Sequence, residues 1–163
     1  MDDWRGLRIA LVVVVWLTVG GGALLGTIWS LRGGHVARGA EHASAPGVSL
    51  PGGDDPRVTS FSSAQVGVHA VLGVLTAAFV TYGAVRTSDR GSGYPALLLA
   101  IAITAIPGAL MFLKWRRSRR TAAHTVGPDD ERVEDRLPAP VVYLHGVGAL
   151  TTAVLVVLLA LAD

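Results

Sequence analysis

The sequence predicts an all-α protein, a bundle of four transmembrane helices. Three observations carry that prediction. The 14 basic and 12 acidic residues of this 163-residue chain all lie outside four windows, residues 9–31, 58–85, 91–113 and 137–162. Each window holds an apolar run of about 20 residues, enough to cross the ~30 Å hydrocarbon core of a bilayer. Composition agrees: 51% of residues are hydrophobic and 16% charged, against about 25% charged in soluble domains. A water-soluble domain would put Lys, Glu and Arg on the outer face of each helix, so charge-free runs of this length exclude it. Residues 1–163 are therefore expected to form one integral membrane domain. Its spans fall at about 8–31, 65–86, 94–114 and 140–162, with a mobile loop over 32–64 and a charged loop over 115–139.

The first span has Trp4 and Trp29 near its ends, where aromatic side chains sit at headgroup level. Its triple glycine, Gly20 to Gly22, is tolerable in a membrane. Gly22-x-x-x-Gly26 has the spacing that lets a neighbouring helix approach closely. The run is long for a signal-peptide core, and the A-x-A-like site Ala43-Ser44-Ala45 lies well downstream and is followed by Pro46, so the span is expected to be retained. Pro46, Pro51 and Pro56 break any regular element in the connection that follows. The second and third spans, separated by a few residues after Arg86, form an antiparallel hairpin. Pro107 removes a backbone donor inside the third and is expected to bend it. The fourth begins after Pro138 and Pro140, and no internal repeat is evident along the chain.

Orientation follows from the basic residues of alternate connections. Arg32, Arg38, Arg57, Lys114, Arg116, Arg117, Arg119, Arg120, Arg132 and Arg136 share one side; Arg5, Arg8, Arg86 and Arg90 share the other. Basic residues mark the cytoplasmic side, so both termini are expected outside the cell membrane. Lys114, Trp115, Arg116, Arg117, Arg119 and Arg120 are expected to anchor the third span at anionic lipid headgroups, not to bind nucleic acid. The acidic stretch Asp129 to Glu131 with Glu134 and Asp135 follows, and a solvated, self-neutralising loop is expected there.

Five histidines remain. His35, His42 and His124 are in connections. His69 lies about five residues into the second span and His145 about five residues after Pro140. These spans cross in the same direction, so at 1.5 Å per residue both imidazoles sit at about the same depth. An imidazole in hydrocarbon must satisfy a ring N–H and a lone pair, so it faces the bundle and has a partner. Two at matched depth on parallel helices have the arrangement that places a nitrogen on each axial position of a haem iron. Small residues, Gly73, Thr76 and Gly83 along one face and Gly146, Gly148, Ala149 and Thr152 along the other, leave room for a flat macrocycle or for direct helix contact.

On the residues His69-Ala-Val-Leu-Gly73 and His145-Gly-Val-Gly148, and on the four-span plan, the chain resembles the small four-helix membrane cytochromes of the b type. The resemblance covers the three later spans. It implies haem b held by His69 and His145, electron transfer with a membrane or redox partner subunit, and Arg57 or the 114–120 cluster as a propionate partner. Multi-haem members repeat the ligand along each helix, and this chain does not, so one haem is implied. The competing reading is a non-catalytic membrane subunit or assembly factor, alone or as a homo-oligomer, whose histidines hydrogen-bond each other, Tyr143, Gln65 or a free carbonyl. The absence of cysteine excludes thiolate metal sites and thioether-linked haem. No nucleophile elbow, phosphate loop or zinc-protease motif is present and no carboxylate lies inside a span, so no catalytic activity of its own is expected.

Overall fold

The computed structural model describes residues 3–34, 38–39, 58–86, 93–122 and 132–162. The chain forms α1 (Asp3–Leu31), β1 (Arg38–Gly39), β2 (Val58–Thr59), α2 (Ser63–Arg86), α3 (Tyr94–Ala122), a 3-10 turn (Val133–Arg136) and α4 (Ala139–Ala162). Strands β1 and β2 are a two-residue parallel bridge, Arg38 beside Val58 and Gly39 beside Thr59. The architecture is the predicted all-α bundle of four helices, each long and apolar enough to cross a membrane. Their outward faces stay apolar: Leu17, Leu31, Val85, Leu144 and Leu161 are each at least 70% exposed. A surface of that kind is stable in lipid and not in water, so the chain is a multi-pass integral membrane protein.

α1 packs against α4 and α2, and α3 packs against the same two helices. The bundle is thus a ring in the order α1, α2, α3, α4, with α1 facing α3 and α2 facing α4 across its diagonals. The first helix is a full member of the core, not an element appended through its glycines. Leu11 and Val15 are buried with Ala77, Val80, Tyr94, Leu97, Val156 and Leu159 in one cluster. A second cluster, Trp29, Phe61, Trp115, Val133, Leu137 and Val142, closes the end where α1 and α3 finish and α2 and α4 begin.

Several expectations are corrected here. α3 does not end at Lys114: it runs on to Ala122, because Lys, Arg and Ala are good helix formers and no Gly or Pro intervenes before Gly127. Pro107 lies inside this helix, as expected, and its missing N–H costs one bond to the preceding turn. Trp29 and Trp115 are buried at 3% and 2% exposure, so neither is a headgroup anchor, whereas Trp4 is exposed. Arg116, Arg117, Arg119 and Arg120 are exposed around the same turns, and the Arg119 guanidinium lies 5.4 Å from the Trp115 ring. Most of the expected loop 32–64, and the acidic residues 129–131, lie outside the described residues.

Glu134 is not solvated. It is fully buried: its Oε2 accepts from Thr59 Oγ1 at 2.8 Å, and its Oε1 accepts from the Ser60 amide at 2.8 Å and from the Ser60 hydroxyl. Trp29 Nε1 in turn donates to Thr59 Oγ1 at 3.3 Å, and Lys114 Nζ donates to Ser60 O and Gln65 Oε1. Burial of a carboxylate is tolerable only with such donors. They tie the connection before α2 to the connection before α4.

Candidate functional site

Four helices contribute to one centre near this end of the bundle. On α2 the inward-facing positions step by seven and four, His69, Thr76, Val80, and on α4 the same steps give His145, Thr152, Val156. Both histidines therefore point into the bundle, from opposite corners of one diagonal. Their ring centroids are 6.0 Å apart and their planes are perpendicular.

Each ring is oriented by a helix other than its own. His69 Nδ1 lies 3.2 Å from the carbonyl oxygen of Thr104 on α3, and His145 Nδ1 lies 2.9 Å from that of Thr18 on α1. A carbonyl only accepts, so both Nδ1 atoms donate, and in the neutral ring the lone pair is then on Nε2. The Nε2 atoms are then lone-pair donors, and neither makes a hydrogen bond among the described residues. Gln65 is engaged by Lys114, and Tyr143 stacks with Trp115 and Phe112, so neither expected side-chain partner serves the histidines.

The other diagonal is made of glycine. A Cβ at Gly22 of α1 would come 2.9 Å from His145 Cε1, and one at Gly108 of α3 would come 2.7 Å from His69 Cε1. Any larger residue at either position collides with a ring. Gly26, the second residue of the expected packing motif, has nothing within 4 Å of its Cβ position. Gly22 therefore serves the imidazole and not a Gly-x-x-x-Gly helix contact. The central hydrogen bonds continue below: Thr76 and Thr104 hydroxyls are 2.7 Å apart, joining α2 to α3.

Comparison of the chain with protein-family models, curated proteins and solved structures returns no match. The site must be read from its own geometry.

The sequence pointed to His69 and His145, and the structure brings them together. It missed Thr18, Thr104 and Gly108, because a backbone acceptor leaves no mark in residue type. One signal was present all the same: Thr-x-x-x-Gly occurs at Thr18–Gly22 and at Thr104–Gly108. In a helix that spacing puts the carbonyl of the first residue and the Cα of the second on one face, one turn apart. His35, His42, His124 and Arg57 lie outside the described residues. Among the described residues no third His, Cys, Asp or Glu joins the pair.

Proposed function

We propose that this integral membrane protein is a single-haem, b-type electron carrier in which His69 and His145 would hold the haem. The observation that carries the reading is the tautomer. Both Nδ1–H groups are consumed by backbone carbonyls, which fixes ring orientation and leaves each Nε2 lone pair available, the outer-shell arrangement that ligating histidines use. The spacing supports it. A metal–imidazole bond is about 2 Å and the ring centre lies about 1 Å beyond the nitrogen, so two imidazoles could share one metal only with ring centres within about 6 Å of each other. The rings here are 6.0 Å apart.

Two protein donors suit haem better than a bare ion, since a porphyrin brings four in-plane nitrogens whereas an isolated zinc needs four ligands from the chain and solvent. The glycines of the second diagonal serve the two ligands, because a Cβ at Gly22 or Gly108 would displace the imidazole of His145 or His69 that packs against it. Haem iron with two imidazole ligands supplies one-electron transfer without an open coordination position. The chain's own residues hold the two ring centres 6.0 Å apart, cover the end of the bundle with the Trp29–Trp115 cluster, and orient each imidazole through its Nδ1 contact with a backbone carbonyl. The site lies nearer the face that carries the 114–120 basic run. With that face cytoplasmic, both termini are outside the cell membrane and the partner is a quinol or a redox subunit reached from the cytoplasmic half.

The deciding experiment is a reduced-minus-oxidised absorption spectrum of detergent-purified protein from haem-replete cells. Sharp bands of six-coordinate haem b are expected, lost in His69→Ala and in His145→Ala. A colourless wild-type preparation rejects the proposal and leaves the histidines as inter-helix ties in a non-catalytic subunit, a role that the two carbonyl bonds would also fill. A cytoplasm-active reporter fused after Asp163 should be silent; activity there would reverse the orientation.

A further inference from the structure

The residues of the centre recur at two fixed intervals, one for each pair of like helices. Thr18 and Thr104 supply the acceptor carbonyls, and Gly22 and Gly108 receive the rings; the members of each pair stand 86 residues apart. The same interval relates Leu11 to Leu97 and Trp29 to Trp115, all four buried. Between α2 and α4 the interval is 76 residues: Val66 with Val142, His69 with His145, Thr76 with Thr152, Val80 with Val156. Both helices are 24 residues long, and their ends obey that interval as well, Ser63 with Ala139 and Arg86 with Ala162.

Counted over Ile9–Trp29 against Pro95–Trp115, seven of 21 positions are identical, where the residue frequencies of the two stretches give about two by chance. Over α2 against α4, seven of 24 are identical, against about four by chance. The matches include every side chain or backbone position that builds the centre.

The contacts are reciprocal too. In a two-fold interface, residue i of one unit touches j of the other, and the second copy of i touches the first copy of j. Thr18 of the first half holds His145 of the second, and Thr104 of the second half holds His69 of the first. Gly22 faces His145 as Gly108 faces His69. Like helices lie on the diagonals of the ring and run in the same direction, so the axis relating the halves is parallel to the helices, along the membrane normal.

We propose that the chain is a fused tandem repeat of one two-helix unit, α1–α2 and α3–α4, whose two-fold axis passes between His69 and His145, and that Gly22 and Gly108 are the equivalent positions that seat the two imidazoles for the bound group. Neither half carries a complete site: each supplies one imidazole and the carbonyl and glycine that seat the other half's imidazole. The ligand accordingly meets two like faces, which selects a group able to accept equal nitrogen donors from opposite sides. The repeat is independent of the haem reading; the assignment of the glycines to the bound group rests on it.

Two measurements on the full-length chain test this. In the first, the α2 and α4 sequences, 63–86 and 139–162, are exchanged. The exchanged chain should purify as a monodisperse helical protein and keep the wild-type spectrum. In the second, Gly22→Ala, Gly108→Ala and the control Gly26→Ala are compared for thermal midpoint and for haem retained per chain. The first two should lose both to a similar extent, and Gly26→Ala should lose neither. If the exchanged chain fails to assemble, the glycine pair decides alone: unequal losses, or losses no greater than those of Gly26→Ala, overturn the proposal. A colourless wild type would reject the haem reading while the exchange and the thermal midpoints still judge the repeat.

Discussion

Glu134→Ala removes the acceptor that ties the connection before α2 to the connection before α4. Glu134 is fully buried, and its two oxygens take hydrogen bonds from Thr59 Oγ1, the Ser60 amide and the Ser60 hydroxyl. Ser60 is half-buried and its donors can turn to water, but Thr59 is only 2% exposed and its hydroxyl would be stranded. A stranded buried donor costs about 1–3 kcal/mol, and each lost bond to a charged acceptor about 1.5–3 kcal/mol before water compensates. A net loss of about 3 kcal/mol follows, which raises the local opening equilibrium about 150-fold.

Hydrogen exchange followed by mass spectrometry reads this directly in a peptide covering 58–62, since the Ser60 amide donates to Glu134 and the Phe61 amide donates to Thr59 Oγ1. Protection of both amides should fall by about two orders of magnitude, and the centre of α4 around Thr152 should be unchanged. Glu134→Gln should lose less, because one carbonyl oxygen still accepts and the hydroxyls can rotate to face the new amide. Unchanged protection in Glu134→Ala would refute the claim that this carboxylate holds the connections together.

Four further substitutions probe the bundle itself. Thr76→Val and Thr104→Val, alone and combined, should show a coupling energy of about 0.5–2 kcal/mol in a double-mutant cycle of unfolding, since the hydroxyls are 2.7 Å apart between α2 and α3; additive effects would mean that the bond contributes nothing. Trp16→Phe should cost about 1 kcal/mol by removing the 3.0 Å bond from Trp16 Nε1 to Thr81 Oγ1 that joins α1 to α2 at the lipid-exposed face. Gly26→Ala should be neutral or stabilise by up to about 1 kcal/mol, as a helical glycine with nothing within 4 Å of its Cβ position. A destabilised Gly26→Ala would mean that α1 meets another chain there.

The bundle was legible in the sequence because lipid imposes a coarse code. A span has to exclude charge for about 20 residues, and that exclusion is visible without any knowledge of packing. The depth of His69 and His145 was legible for the same reason, since helix rise converts position into height. What each tryptophan touches was not. Trp4 and Trp29 look alike at the ends of one span, yet Trp4 is exposed while Trp29 is buried against Phe61 and Val133. Glu134 was misread on the same ground: a carboxylate in a charged stretch is ordinarily solvated, and only the arrival of Thr59 and Ser60 from 74–75 residues away makes its burial affordable.

The sequence by itself determined the medium, the number of spans, the parallel direction of the two histidine-bearing helices and the height of their imidazoles, because each of these depends on hydrophobicity and periodicity along one chain segment. Only the tertiary structure decided which diagonal carries imidazole and which carries glycine, that Thr18 and Thr104 orient the rings through their carbonyls, and that the two halves answer one another across an axis. Those features are relations between helices. A backbone acceptor is the same atom in every residue, and a repeat with unequal connections, 86 residues between α1 and α3 but 76 between α2 and α4, falls out of register when the chain is read as one line.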